Sequence, residues 1–519
     1  MLKIKSNSFN QKQTILIICL VGFGGLLIRL IYFPYNTPIT ADALDYFSYA
    51  ITLSRGDVFP DGYLINKFGW PVFLAPFFAI SNSTEMIEFM NIQRILSIII
   101  SVLTIIPLYY LIKNFFKKEI AIVAASLFIF SPKIIENSIL GITDPLFIFC
   151  VSLSIMFIFV QKSKYYFLSY ILAGLAFVVR QEGMLMLIPI IIYFIIKKDF
   201  GQKIILKFGI GLFLFFIIAY TADLLFLSDI DGITIFDTVI HAIKISDQQM
   251  VISSNETSEV QSVTENVGGF LKNSLFNYSK FLIWFLLPNF ICFLVFSIIT
   301  IKKKISINKI TVLSFLVILS LISLFAYGKG IQETRYLFIL IPLFCLFSGY
   351  GVNYLYSKID NKVLLLIIPI MISSTLFLYV TIDNSFENES YEDAKILTEF
   401  ANGTNDYDGP SIRFYKVSVM YHEWPELLPI GENRKISLSI EKFQTNEYQT
   451  LKEFIFSNYK KGLTHLIIYE KNNNGYLDEV FINEKEYPYL EKIYNSDESN
   501  RNQVKIFQIN HIEFEKLLN

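Results

Sequence analysis

The chain has 519 residues, 53% apolar and 17% charged, with 50 Phe and a formal net charge of −1. A soluble domain carries about a quarter charged residues and at most about half apolar ones. The balance therefore excludes an ordinary water-soluble enzyme, and the lack of basic excess leaves no footing for a nucleic-acid partner. In chain order, apolar runs predict a polytopic α-helical membrane protein of about 11 transmembrane helices, near 14–33, 92–112, 119–132, 142–160, 166–179, 183–196, 204–227, 279–300, 309–327, 336–356 and 361–382. A run of about 18 or more apolar residues can cross a ~30 Å hydrocarbon core; the third and fifth runs are shorter than that. The first is too long for a cleaved leader, and Phe33-Pro34-Tyr35 follows it, so it is expected to stay as an anchor. The four cysteines, Cys19, Cys150, Cys292 and Cys345, fall inside spans and read as packing residues.

Lysine sets the orientation. Lys3, Lys5 and Lys12, then Lys113, Lys117 and Lys118, Lys162 and Lys164, Lys197 to Lys207, Lys302 to Lys309, and Lys358 with Lys362 mark every second junction. The positive-inside rule then puts the N-terminus in the cytoplasm and the C-terminus outside. Arginine behaves differently. Arg29, Arg55, Arg94, Arg180 and Arg335 all fall at outer span ends or in outer loops. A purely topogenic cation should share the inner loops with lysine, so the arginines read as having a separate task.

Three outer segments are long. The first, 34–91, opens on Thr40-Ala-Asp-Ala-Leu-Asp-Tyr, where Thr40 suits an N-cap and Leu44, Phe47, Ala50 and Ile51 have helical spacing. The second, 228–279, is polar and holds His241, Asp237 and Asp247, whose spacing fits no zinc pattern. The third, 383–519, carries 24 acidic and 15 basic residues. Helical spacing at 391–401 and 447–461, with strand-like runs at 411–415, 463–469 and 504–509, predicts a small C-terminal extracytoplasmic α/β domain of βα type. The division is thus a membrane domain over 1–382 and a soluble one over 383–519.

Ionised groups beside hydrocarbon are costly and are usually kept for chemistry or transport. Asp42 is a candidate general base, or simply an acid at a helix start. Arg94, Arg180 and Arg335 could hold phosphate with their guanidinium forks, or snorkel to headgroups. Asp144 and Glu182 read equally as acids favoured at helix N-termini or as partners of the arginines. Asp45 and Tyr46 flank Asp42. No metal site is indicated, although a divalent ion is compatible with the chemistry.

The order of these elements resembles the GT-C superfamily of integral-membrane glycosyltransferases, in the branch of the protein O-mannosyltransferases and aminoarabinose transferases. Asp42, Tyr46 and Ala50 match the opening of that family's first outer loop, with Ala43 where the family has Glu. Gly69-Trp70-Pro71 matches an aromatic-Pro element, and Arg94 an Arg-led second span. Thr143-Asp144-Pro145-Leu146 opens the fourth span, Arg180-Gln-Glu-Gly matches Arg-x-Glu-Gly, and Arg335-Tyr-Leu precedes a late span. The resemblance covers about residues 14–350. It implies a sugar donor linked to polyprenyl or dolichyl phosphate, a protein, glycan or lipid acceptor, and an outer-face site. On that reading Asp42 takes the acceptor proton, Arg180 and Arg335, with Arg94, hold the lipid phosphate, and the transfer inverts the anomeric centre. A phosphate leaving group needs its charge stabilised more than it needs a proton, so one carboxylate base suffices. The abundance of Lys, Ile, Asn and Phe favours a prokaryotic plasma membrane. Two rival readings remain: a transporter or lipid flippase, and a membrane-anchored binding or scaffold protein working through its tail.

Overall fold

The computed structural model describes residues 10–35, 37–39, 42–54, 56, 68–81, 86–160, 165–196, 204–226, 267–287, 290–300, 307–358, 448–458, 463, 465–469, 475–495 and 503–517. The expected eleventh span, 361–382, the greater part of segment 228–279, and the start of the tail lie outside them. The chain divides into two compact units. The first comprises 1–34, 64–74 and 92–384; the second comprises 35–63, 75–91 and 385–519.

The protein is a multi-pass helical membrane protein. Among the described residues five helices are long and apolar enough to cross a bilayer, beginning with α1 (Gln11–Ile31). Next come α2 (Asp42–Ser54), α3 (Gly69–Ile80), α4 (Met86–Leu103) and α5 (Ile105–Lys113). Helices α4 and α5 together make one expected span. The ladder is interrupted between them because Pro107 has no amide hydrogen to give the Leu103 carbonyl. Then follow α6 (Lys118–Ile129), α7 (Pro132–Ser138), α8 (Asp144–Phe159), α9 (Tyr165–Val179), α10 (Leu187–Ile196) and α11 (Ile204–Phe226). The last membrane helices described are α12 (Val267–Leu286), α13 (Ile291–Thr300), α14 (Ile307–Gly328) and α15 (Ile341–Tyr356).

The expected span at 279–300 is corrected. It is two helices, α12 and α13, and α12 starts well inside what reads as an outer loop. Polar residues there face a neighbour instead of marking a loop: the Tyr278 hydroxyl lies 3.1 Å from Ser320 Oγ of α14, and Asn277 Nδ2 donates to the Tyr327 carbonyl at 3.4 Å.

In the first unit α5, α6, α8 and α15 form the interior, with α6 buried almost all round. A helix hydrophobic on every face is expected at such a centre. Arg29 is fully buried there. Its guanidinium donates to the carbonyls of Gly25 and Ile129, at 3.0 and 3.1 Å, and to Ser138 Oγ and Ser101 Oγ, also at 3.0 and 3.1 Å. A buried cation is tolerated when its donors are satisfied, and here it ties α1 to α4, α6 and α7.

In the second unit α2 buries Tyr46, Phe47 and Ala50, and Phe78 packs edge-on against both Phe47 and Phe89. The tail residues of this unit fold about one apolar core that includes Phe454, Leu466, Leu477, Phe507 and Phe514. Its elements are α16 (Leu451–Asn458), β1 (His465–Tyr469), α17 (Gly475–Ile482), β2 (Leu490–Asn495), β3 (Val504–Ile509) and α18 (His511–Lys516). The sheet order is β1-β3-β2 with both pairings antiparallel. The expectation of a βα unit is thus corrected in part. β1 and β2 do run the same way on either side of a helix, but β3 is inserted between them, a split βαβ arrangement. β2 escapes the sequence reading because Leu490 alone is buried in it, which leaves no alternation to detect.

Candidate functional site

Two spans begin irregularly, and both carry an arginine. Helix α9 stops at Val179, Arg180 adopts extended backbone (φ −150°, ψ 134°), and a 3-10 turn over Gln181–Met186 leads into α10. The same plan recurs where Glu333 (φ −125°, ψ 137°) precedes a 3-10 turn over Thr334–Leu340 that leads into α15. A proline stands just beyond each turn, Pro189 in α10 and Pro342 in α15. Neither can bond the carbonyl four residues back, so the α ladder starts late and the tighter turn fills the gap.

Glycine sets the first turn in place. A Cβ on Gly183 would lie 2.4 Å from the Phe177 amide nitrogen and 2.5 Å from the Ala176 carbonyl carbon. The turn is therefore pressed onto the last turn of α9, which only glycine permits. Gly69 makes the same approach from α3, where a Cβ would meet the Val178 oxygen at 2.8 Å.

The two arginines meet in one narrow cleft. Its charged lining is Asp144, Arg180, Glu182 and Arg335, and its walls include Phe147, Ile322 and Tyr336. Arg180 Nη1 donates to Asp144 Oδ1, and both side chains are almost fully buried. Arg180 Nη2 donates to Glu182 Oε1 at 2.8 Å and its Nε to Oε2 at 3.4 Å, while Glu182 remains a quarter exposed. The guanidinium also faces the Phe147 ring, 5.6 Å from its centre. Arg335 pairs with the half-exposed Glu333 and lies 5.8 Å from the Tyr336 ring centre. The choice left open for Asp144 and Glu182 is resolved: both occupy a first helical turn, and both are partners of Arg180.

Some supporting groups were not anticipated. Asn137 Nδ2 donates to the second oxygen of Asp144 at 3.1 Å. The loop before Asp144 turns at Gly141 (φ 78°), whose carbonyl accepts from Trp70 Nε1 at 2.9 Å and from Gln93 Nε2 at 2.7 Å. Trp70 stood out in the sequence; Asn137 and Gln93 carried no spacing signal. Arg94 is placed elsewhere. It is fully buried, donates from Nε to the Ile139 carbonyl at 3.1 Å and from Nη1 to the Pro34 carbonyl at 3.4 Å, and is not among the residues lining the cleft. Asp42 is the first residue of α2 and partly buried, Tyr46 is buried one turn on, and Asp45 lies on the same helix. Arg55 and His241 lie outside the described residues. Among those residues no three His, Cys, Asp or Glu side chains are grouped to hold a metal ion.

A family model described as dolichyl-phosphate-mannose-protein mannosyltransferase matches residues 72–224. The structure is similar to ArnT from Cupriavidus metallidurans in its apo state (TM-score 0.57, 10% identity), over 95% of this chain and 98% of that one. The fold is that of the GT-C glycosyltransferases. The undecaprenyl phosphate complex of the same ArnT gives a TM-score of 0.55 at 11% identity, over 96% and 98% of the two chains. The oligosaccharyltransferase AglB from Archaeoglobus fulgidus, in complex with an inhibitory peptide and a dolichol-phosphate, gives 0.52 at 10% identity, over 95% and 74%. No curated protein sequence matches significantly. The GT-C resemblance read from the sequence over about residues 14–350 is borne out, and the likeness of fold extends over 95–96% of the chain.

Proposed function

We propose that the protein moves a sugar from a polyprenyl- or dolichyl-phosphate donor to a hydroxyl acceptor at the outer face of the membrane. One observation carries this reading: Arg180 and Arg335, far apart in sequence, share one cleft at the matched ends of their spans in a GT-C fold. The solved neighbours with this fold were obtained with undecaprenyl phosphate and with dolichol-phosphate, which supports the same chemical class of donor here.

The residues fit the charge changes of the reaction. Two arginines and two carboxylates line the cleft, so their formal charges cancel. A phosphate gains by entering only if a carboxylate yields its guanidinium. Asp144 is buried and held by Asn137, so it stays and fixes Arg180 in direction. Glu182 is more exposed and is the partner that a phosphate can replace. Arg335 then turns from its half-exposed partner Glu333 to the phosphate, and charge developing on the leaving oxygen is met by two oriented guanidinium groups. Asp42 takes the acceptor proton, with Asp45 and Tyr46 in support, and attack opposite the departing phosphate inverts the anomeric centre. Arg94 serves indirectly, holding the chain at Pro34 where the first outer segment begins. The tail from 383 onward shapes acceptor access outside a plasma membrane.

The test is to incubate purified protein with a panel of radiolabelled prenyl-phosphate sugars and a cell-envelope extract, and to ask which donor is consumed. Asp42→Asn should abolish transfer while leaving the elution profile and melting temperature unchanged. Full activity in that variant would remove Asp42 from the mechanism. Translocation of a labelled lipid with no sugar transferred would favour a flippase instead.

A further inference from the structure

A second cavity lies at the opposite end of the helices that form the cleft. Along α14, Ile322 lines the cleft and Lys309 lines this cavity; Ile339, in the 3-10 turn that leads into α15, lines the cleft, and Tyr350 and Asn353 farther along α15 line the cavity. At ~1.5 Å per residue the two are about 15 to 20 Å apart along the helix axes. The cavity measures about 660 Å³, within the range of small-molecule sites. Three ammonium groups line it: Lys113 at the end of α5, Lys117 just before α6, and Lys309 at the start of α14. Phe115, Phe116 and Tyr350 supply apolar and aromatic wall, and Asn114 and Asn353 supply neutral polar groups.

Two of the lysines are held by aromatic rings. Lys113 Nζ stands 5.7 and 5.6 Å from the ring centres of Tyr109 and Tyr110, and Lys117 Nζ 5.2 Å from that of Tyr356. Among the described residues neither has a carboxylate partner. The topogenic role of lysine explains their side of the membrane. It does not require that cations from two separate connections converge on one cavity with aromatic walls. Three cations beside an apolar wall match an anionic headgroup whose acyl chains remain in the bilayer.

We propose that this cavity binds the phosphodiester headgroup of one anionic phospholipid, with the lysines around the phosphate and the aromatic residues against the glycerol and first methylenes. Its assignment to the cytoplasmic leaflet rests on the orientation adopted above; the binding itself does not.

Native mass spectrometry of the delipidated full chain tests it, with phosphatidylglycerol and phosphatidylcholine added in turn. One phosphatidylglycerol should be retained in preference to phosphatidylcholine. The triple substitution Lys113→Gln, Lys117→Gln, Lys309→Gln should weaken that binding roughly a hundredfold, since each cation near an anionic surface contributes about a factor of five. Gel filtration and donor turnover report separately whether the variant is folded and whether the cleft still works. Equal retention of both lipids, or unchanged binding in a folded triple variant, would overturn the proposal. Displacement of phosphatidylglycerol by millimolar inorganic phosphate would also overturn it, assigning the cavity to a soluble phosphate compound.

Discussion

Arg180 shows how one side chain can be both structural and available. Its Nη1 is committed to the buried Asp144, and its Nη2 to the more exposed Glu182. Breaking a buried ion pair leaves an uncompensated charge and costs roughly 3–5 kcal/mol; exposed pairs are worth at most about 1 kcal/mol. The two carboxylates should therefore respond differently. Asp144→Asn should lower the melting temperature and transfer together. Glu182→Gln should leave stability nearly intact and lower KM for the donor, because the guanidinium no longer has a rival anion. A rise in donor KM in Glu182→Gln would mean that Glu182 holds Arg180 in place and that phosphate does not replace it. The pairing was only half legible in the sequence. The Arg-Gln-Glu-Gly motif marks Arg180 and Glu182 as neighbours, but Asp144 joins them only through the packing of α8 against α9. Asn137 and Gln93 had no pattern to betray them, since a buried amide is defined by its partner and not by its spacing.

Among the elements, the two 3-10 turns are what set the arginines at the ends of their helices. Each follows a residue in extended backbone and precedes a proline, so the chain turns before it can form a helix. The first also needs Gly183, whose missing Cβ allows the turn to touch the backbone of α9. Gly183→Ala should push the turn away, displacing Glu182 and Arg180 together. Transfer should fall at least tenfold, while the protein still inserts and elutes as wild type; unchanged kinetics would show that the turn tolerates the shift. In the tail, Glu484 receives Lys492 Nζ at 2.8 Å and stands 3.3 Å from Lys505 Nζ, and the lysine contacts hold its carboxyl below the ordinary value. A depressed folded-state pKa adds stability that is present above the unfolded value and lost as pH falls through the folded one. The protection of amides in β2 and β3 of the full chain, taken as observed exchange relative to the intrinsic rate at each pH, should therefore fall as pH drops through the depressed carboxyl value, and this loss should shrink in Glu484→Gln. The helices here were readable from apolar runs, whereas their breaks were not, because a proline's effect depends on which carbonyl it leaves unbonded. The tail was legible as mixed helix and strand, but its pairing order was not, since register and partner are set across the core.

For the whole molecule, the alternation of lysine-rich and arginine-bearing ends is repeated in space: along α14 and α15 the cavity with three lysines and the cleft with two arginines stand at opposite ends. If the lysine end is cytoplasmic, a cysteine-free background carrying Lys113→Cys or Lys309→Cys should react with an impermeant maleimide only after the membrane is opened. Labelling in intact cells would invert the topology and place the cleft inside. The overall architecture was legible because a bilayer restricts a chain to few solutions: every backbone polar group must be bonded internally, and helices do this alone.

Helix α11 sends Ile205, Leu206, Phe213, Tyr220 and Leu225 outward, and among the described residues it meets its unit chiefly through α9, where Gly211 lies against Tyr170 and Phe215 stacks on Phe177. The face that carries these residues is open to whatever amphiphile surrounds the protein. A surfactant of short chain length would leave that flank poorly covered and peel it from α9, the helix whose end carries Arg180. Extraction conditions are thus a variable of the cleft itself, and a preparation that looks monodisperse can still have lost the strut behind its guanidinium.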